Sequence, residues 1–151
     1  MRGARWWPLY TRAMRAQAFH WLRSAEADRQ AAETLMRARR YSHAVFMAYQ
    51  AAEKTLKAAV LAVTRTYPPL THNLRLLADR IGSPAPESVV TAILRLAPHY
   101  TASRYPDVSD GPPELAYNRP IARELLRACD AVMAWASSLW PSRETSPGDD
   151  S

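Results

Sequence analysis

His43-Ala-Val-Phe-Met-Ala-Tyr-Gln-Ala-Ala-Glu-Lys-Thr-Leu-Lys-Ala-Ala-Val-Leu-Ala-Val-Thr-Arg65 is the stretch on which the fold turns. Val45, Tyr49, Ala52, Leu56, Ala59 and Val63 recur at alternating spacings of four and three, the period of one helical face. Antiparallel helical bundles pack along seams of this kind. Ala44, Ala48, Ala51, Ala58 and Ala62 keep the other faces small, so neighbouring helices can approach closely and this helix is expected at the centre. Its polar strip is narrow. Gln50, Glu53, Lys54 and Lys57 form it, are expected to face solvent, and include a favourable i,i+4 pair from Glu53 to Lys57.

Outward from this segment the chain reads as helices divided by proline and polar clusters, with no period-two alternation of a strand. A first helix over about 13–39 carries Ala18, Leu22, Ala25, Ala32 and Met36 on one stripe, with Arg29 interrupting it; the first reading is a rim residue whose stem snorkels along the core, the alternative an inward partner for a carboxylate. Ser42 offers an N-cap for the central helix. After Pro68-Pro69, Thr71 can cap a short helix with Leu74, Leu77 and Ile81 inside and Gly82 as its stop. A fourth, entered through Pro84 and Pro86, carries Val89, Val90, Ile93, Leu94 and Ala97 and runs on towards Arg104. Asn118 and Pro120 open a fifth, where Ile121, Leu125, Ala128, Val132, Trp135 and Leu139 repeat the seam. The expected fold is all-α: an up-and-down bundle of about five helices, three long and two short.

At 151 residues there is room for one domain with a real core. We expect a basic aromatic arm over 1–14, a bundle over 15–140 and a disordered tail over 141–151. In the arm, Trp6, Trp7, Leu9 and Tyr10 stand among arginines and are expected to pack on the bundle or a second subunit, the alternative being a nucleic-acid or membrane-surface contact. Net charge is +6; setting aside the four arginines of residues 1–15 and the two net acids of the tail leaves +4 on residues 16–140. That permits an anionic ligand without demanding nucleic acid.

Several chemistries are excluded by residue supply. The four glycines stand at 3, 82, 111 and 148, so neither a P-loop nor a dinucleotide fingerprint can be written. His20, His43, His72 and His99 never pair at metal-ligand spacing on one helix face, and no metal or cofactor is expected. Cys129 stands alone, which rules out an internal disulfide and reads as a buried thiol in a reducing compartment. No apolar run approaches the roughly 18–20 residues of a membrane span, and the expected location is the cytoplasm.

One segment concentrates chemistry. Tyr100-Thr-Ala-Ser-Arg104-Tyr105-Pro106-Asp107 crowds an arginine, two tyrosines and a carboxylate, and Pro106 disfavours helix at Tyr105, so these groups belong at a helix C-terminus or just beyond it. Arg104 can grip phosphate oxygens while a tyrosine ring stacks on a base, or Arg104 can pair with Asp107 and simply fix the loop. His72, beside the cap at Thr71, can serve a ligand or satisfy an orphan amide, and His43 at the start of the central helix has the same two readings. Glu53 and Lys54 are either site residues or a solvated helix face.

Taken together, Gln50-Ala-Ala-Glu53-Lys54-Thr-Leu-Lys57, Pro68-Pro69-Leu70-Thr-His72-Asn73-Leu74 and the Arg104 segment resemble the HEPN family, in the family's order, over roughly residues 15–140. The resemblance implies a helical bundle that usually forms homodimers, is often paired with a minimal nucleotidyltransferase, and binds nucleotides in a cleft between helices or subunits. It maps Gln50, Glu53, Lys54, Arg104, Tyr105 and Asp107 onto the family's shared positions and His72 onto the histidine after its proline pair.

Some relatives are metal-independent ribonucleases whose arginine is followed by a polar residue and, after four to six residues, by a histidine. This sequence departs from that pattern. Ala38 follows Arg37 in the run to His43, Pro68 and Pro69 interrupt the run from Arg65 to His72, and no histidine follows Arg104. The expectation is therefore a non-catalytic nucleotide- or nucleic-acid-binding module acting with a nucleotidyltransferase in a toxin-antitoxin-like pair. The alternatives are a ribonuclease toxin, or a purely structural dimer or antitoxin in which the Arg104 cluster is internally satisfied.

Overall fold

Three long helices, α1 (Arg12–Arg37), α2 (Tyr41–Thr64) and α7 (Arg119–Ser138), carry a bundle completed by α3 (Leu74–Ile81), α4 (Glu87–Leu96) and two single turns, α5 (His99–Ala102) and α6 (Pro113–Ala116). This computed structural model describes residues 11–108 and 110–140. The expectations placed on the Trp6 arm and the tail lie outside the described residues. Among the described residues there is no strand, and no helix is long and apolar enough to cross a membrane.

α2 is the axis of the fold, with α1, α3, α5, α6 and α7 all packed against it. From Ala48 to Ala62 every residue except Gln50 and Lys54 is buried. The five alanines expected to admit close neighbours are all inside. Small side chains let helix axes approach, and a helix so enclosed is apolar nearly all round rather than amphipathic.

A three-residue turn returns α1 along α2, and short connections of this kind make antiparallel neighbours. Contacts from Arg29 to Asp130, from Glu33 to Arg123 and from Phe19 to Trp140 run α7 antiparallel to α1 as well. The main core joins all the longer helices through Met36, Leu56, Leu74, Leu77, Ile93, Leu96, Leu126 and Val132.

The caps differ in detail from the sequence reading. Asn73, not Thr71, caps α3: its side-chain oxygen accepts from the Leu76 amide at 3.0 Å, while Thr71 Oγ1 accepts from the Asn73 amide at 3.1 Å and shapes the approach. Ser42 is not a cap but a buried residue of the first turn of α2, which begins at Tyr41. Asn118 caps α7 as expected, accepting from Ile121 N at 3.0 Å, and Gly82 ends α3 at φ 87°, a left-handed geometry suited to glycine.

Two stripes are rotated. α7 buries Ala122, Leu126, Cys129 and Ala136 beside Leu125, Ala128 and Val132, leaving Ile121 exposed; α4 buries Ala92 and Leu96 and exposes Leu94. The fourth helix also stops short of Arg104. Pro98 has no amide to donate, so the chain closes a fresh turn at α5 instead of continuing α4.

Arg29 takes the alternative of its two readings, a partner for carboxylates rather than a snorkelling rim residue. Its Nε and Nη2 donate to Asp130 at 2.6 and 3.0 Å and its Nη1 to Glu33 at 3.3 Å, while Arg123 grips both Glu33 oxygens at 3.0 and 3.1 Å. This four-charge lattice ties α1 to α7. The Asp130 hydrogen bond holds the Arg29 guanidinium above its ordinary value, and the Arg123 hydrogen bond holds the Glu33 carboxyl below its own.

Candidate functional site

Where α2 meets the Pro68–Leu74 loop and α5, polar and aromatic side chains from three separate stretches converge. Glu53 lies on the buried flank of α2, only 5% exposed, which corrects its placement on a solvated strip. Lys57, one turn on, is buried too. The expected i,i+4 pair forms, with Lys57 Nζ 3.2 Å from Glu53 Oε2, and the ammonium also sits 5.0 Å from the centroid of the Trp21 ring on α1. The other Glu53 oxygen faces His72 Nδ1 at 2.8 Å. A buried carboxylate keeps its charge only when both oxygens find partners, and here they are an ammonium and an imidazole.

His72 is held from two further directions. The Tyr49 hydroxyl donates to its backbone carbonyl, and its ring stacks on Tyr100 with centroids 4.6 Å apart and planes 17° from parallel. Burial, reinforced by the Glu53 charge, pushes the Tyr49 hydroxyl above its usual range, so it remains a proton donor. Tyr49 itself packs against Tyr100 at 5.3 Å. An open groove of about 300 Å³ runs beside this cluster, lined by Tyr49, His72, Asn73, Tyr100 and Thr101 among others.

Arg104 lies two residues past the end of α5, directly after its C-cap Ser103, which places it at a helix C-terminus as expected. Its Nε donates to the Tyr100 carbonyl at 2.9 Å. The guanidinium carbon lies 4.2 Å from the centroid of Tyr100, 4.7 Å from Phe46 and 4.9 Å from Tyr105. Cations favour ring faces through the aromatic quadrupole, and such contacts hold guanidinium orientation without consuming its outer N–H groups. Among the described residues no carboxylate pairs with Arg104: Asp107 is exposed and forms no ion pair with it.

The remaining sequence candidates do not join the cluster. Lys54 points to α1, donating to Ser24 Oγ at 2.8 Å and lying 2.7 Å from Asp28 Oδ2 outside hydrogen-bond alignment, at the edge of a separate pocket lined by Gln17, His20 and Trp21. It is neither a solvated residue nor a neighbour of Arg104. Gln50 is half-exposed on α2. His43 is exposed, its Nδ1 3.4 Å from Ser42 Oγ. Among the described residues no group of three or more histidine, cysteine or acidic side chains is placed to hold a metal ion.

A family model described as the HEPN domain matches residues 18–139. The chain belongs to the HEPN family. Among solved structures it is similar to TT1696 from Thermus thermophilus, with 31% identity, a TM-score of 0.72, and coverage of 82% of this chain and 98% of that one. It is also similar to ST0689, an archaeal HEPN homologue, with 26% identity, a TM-score of 0.68, and coverage of 81% and 96%. No curated protein matches significantly.

Within this HEPN bundle, sequence reasoning missed Phe46 and Tyr49. Phe46 is off the packing seam of α2, and nothing local marks it as a partner for an arginine 58 positions away. Tyr49 stands on the seam, but its hydroxyl was a usable signal, since a buried phenol needs an acceptor. His99 was also passed over. Its Nδ1 lies 2.6 Å from the hydroxyl of buried Tyr117, which fastens the loop before α7 to α5. Burial pushes the Tyr117 hydroxyl up to about 12 and the His99 imidazole below its ordinary value, so it favours the neutral form of both partners.

Proposed function

We propose that this HEPN protein is a non-catalytic module that binds a nucleotide or polynucleotide end at the Arg104 cluster, acts as a homodimer, and works beside a minimal nucleotidyltransferase in a toxin-antitoxin-like pair. One observation carries the binding reading. Arg104 is held by three rings and one backbone carbonyl, and no carboxylate among the described residues answers its charge. A guanidinium so prepared offers its outer N–H pairs to phosphate oxygens at little further ordering cost. Tyr105, 46% exposed, lies beside the guanidinium, and its ring is the one assigned to stacking on a base. The dimer and the nucleotidyltransferase rest on kinship with the family; catalytic carboxylates and their magnesium would belong to that partner.

A second reading, a metal-independent ribonuclease, has one observation in its favour. His72 and Arg104 share the Tyr100 ring, and the His72 Nδ1 contact with Glu53 leaves Nε2 available to take a proton from a ribose 2′-hydroxyl beside a phosphate held by Arg104.

Thermal-shift measurements with ATP, other nucleotides and short RNA, comparing the natural chain with Arg104→Ala, test the first reading. A ligand at a hundred times its Kd adds about 2.7 kcal/mol of folded-state stability. A shift abolished by Arg104→Ala in a protein that still folds supports the module, and no shift with any ligand removes it in favour of a structural dimer. Cleavage of RNA in EDTA, lost with His72→Ala and Arg104→Ala alike, would establish the second reading instead.

A further inference from the structure

We propose, resting on the binding reading above, that anion binding at Arg104 is proton-linked through His72, the anion being held more tightly when that imidazole is protonated.

Glu53 faces Lys57 through one oxygen at 3.2 Å and His72 through the other at 2.8 Å. With His72 neutral, Glu53 and Lys57 cancel and Arg104 is the one uncompensated charge of the cluster. With His72 protonated, the Lys57–Glu53–His72 chain becomes net positive, and the added charge resides on a ring stacked on the same tyrosine that carries Arg104.

The groups facing His72 from each packed element leave no other answer to that charge. α2 supplies Glu53, with Lys57 behind it, and the Tyr49 hydroxyl, already donating to the His72 carbonyl. The α5 side supplies Tyr100 and, beyond it, Arg104. The loop itself supplies Asn73, whose side chain is engaged in capping α3. Among the described residues Glu53 is thus the sole acid in reach, and it is already matched by Lys57. The second positive charge is therefore available to a bound anion.

His72 is accessible enough to exchange its proton with solvent, its side chain being 58% exposed. An anion that binds the protonated form better must tighten as pH falls, since linkage is reciprocal. One added charge at partly exposed range corresponds to roughly three- to tenfold in affinity at low salt, and less as salt screens it.

The probe must hold its own charge constant. A terminal phosphate titrates near neutrality, so ATP would confound the measurement. A six-nucleotide oligouridylate with 5′- and 3′-hydroxyl ends carries only phosphodiesters and keeps one charge state throughout. Its Kd, measured by fluorescence anisotropy at about pH 8 and pH 6 and low salt, is expected to be roughly three- to tenfold lower at pH 6. In His72→Gln the ratio of the two Kd values is expected to collapse to within about twofold, whatever the absolute affinity.

Binding that depends on Arg104 but has equal Kd at both pH values would overturn the proton linkage while leaving the binding reading intact. A full ratio surviving in His72→Gln would overturn it too, assigning the dependence to another group such as exposed His43. Absence of Arg104-dependent binding at either pH would overturn both.

Discussion

Arginine is used in opposite ways in two parts of this molecule. Between α1 and α7, Arg29 and Arg123 face Glu33 and Asp130 through paired hydrogen bonds, two cations against two anions, so the lattice is electrically closed. Beyond α5, Arg104 meets three aromatic rings and a carbonyl and, among the described residues, no carboxylate. The contrast separates an arginine that joins helices from one that stays open to an anion. Counting arginines in the sequence cannot make that distinction, because partners decide it.

The contrast can be attacked first through Glu53, which belongs to neither lattice but holds Lys57 and His72. Glu53→Ala leaves a buried ammonium without its counter-ion, and breaking a buried pair in this way costs about 3–5 kcal/mol. Chemical denaturation should show that loss. A cost below about 1 kcal/mol would mean that Lys57 escapes to solvent and that the pair is not structural.

Arg104→Ala should behave in the opposite manner. We expect at least a tenfold loss of nucleotide or RNA affinity, about 1.4 kcal/mol, with little change in Tm. Arg123→Ala should then mirror it, lowering stability by about 1 kcal/mol, since Glu33 keeps Arg29, and leaving ligand affinity unchanged in titration calorimetry. If Arg123→Ala weakened binding as much as Arg104→Ala, the division between a closed and an open arginine would fail.

The smallest effect concerns the fastening of the loop that follows Arg104. Tyr117→Phe removes one hydrogen bond to His99 and should cost about 0.5–1.5 kcal/mol. pH gives a further handle on the same contact. Burial lowers the His99 pKa from 6.5, so its contribution is fully present above that value and is lost as pH falls through the depressed folded pKa. Glu33, lowered from 4.5 by Arg123, loses its contribution only at still lower pH. Stability followed from pH 7 downward should therefore decline first through the α5 contact and later through the α1–α7 lattice, and His99→Gln should remove the first decline alone.

Helix α2 is legible almost whole in the sequence, because alternating four-three spacing and five alanines describe a segment enclosed on most faces. α7 is harder. Ile121, Leu125 and Val132 and the set Ala122, Leu126, Cys129 and Ala136 are both plausible stripes on one helix, and the phase was settled by which neighbours arrived. The candidate site was legible in its parts: Arg104, Tyr100, Tyr105, His72 and Glu53 all stand near one another, whereas Lys54 turned towards α1 and His43 stayed outside. Glu53 was misplaced because polarity predicts exposure only when no partner lies within reach. Here the partners came from 4 and 19 residues away.

Residue order alone established an all-helical chain, its breaks at proline and glycine, the absence of a phosphate loop, and the family to which the three motifs point. These follow from local rules: helical period, cap chemistry and backbone freedom act over a few neighbours and need no knowledge of the fold. Burial, pairing and phase were decided in three dimensions. The same carboxylate is a surface charge or the centre of a Lys57–Glu53–His72 chain depending on what packs over it, and the same guanidinium is a strut or an open cation depending on whether an acid or an aromatic ring meets it. Electrostatic energy depends on the surrounding dielectric and on distance, and both are properties of the folded chain.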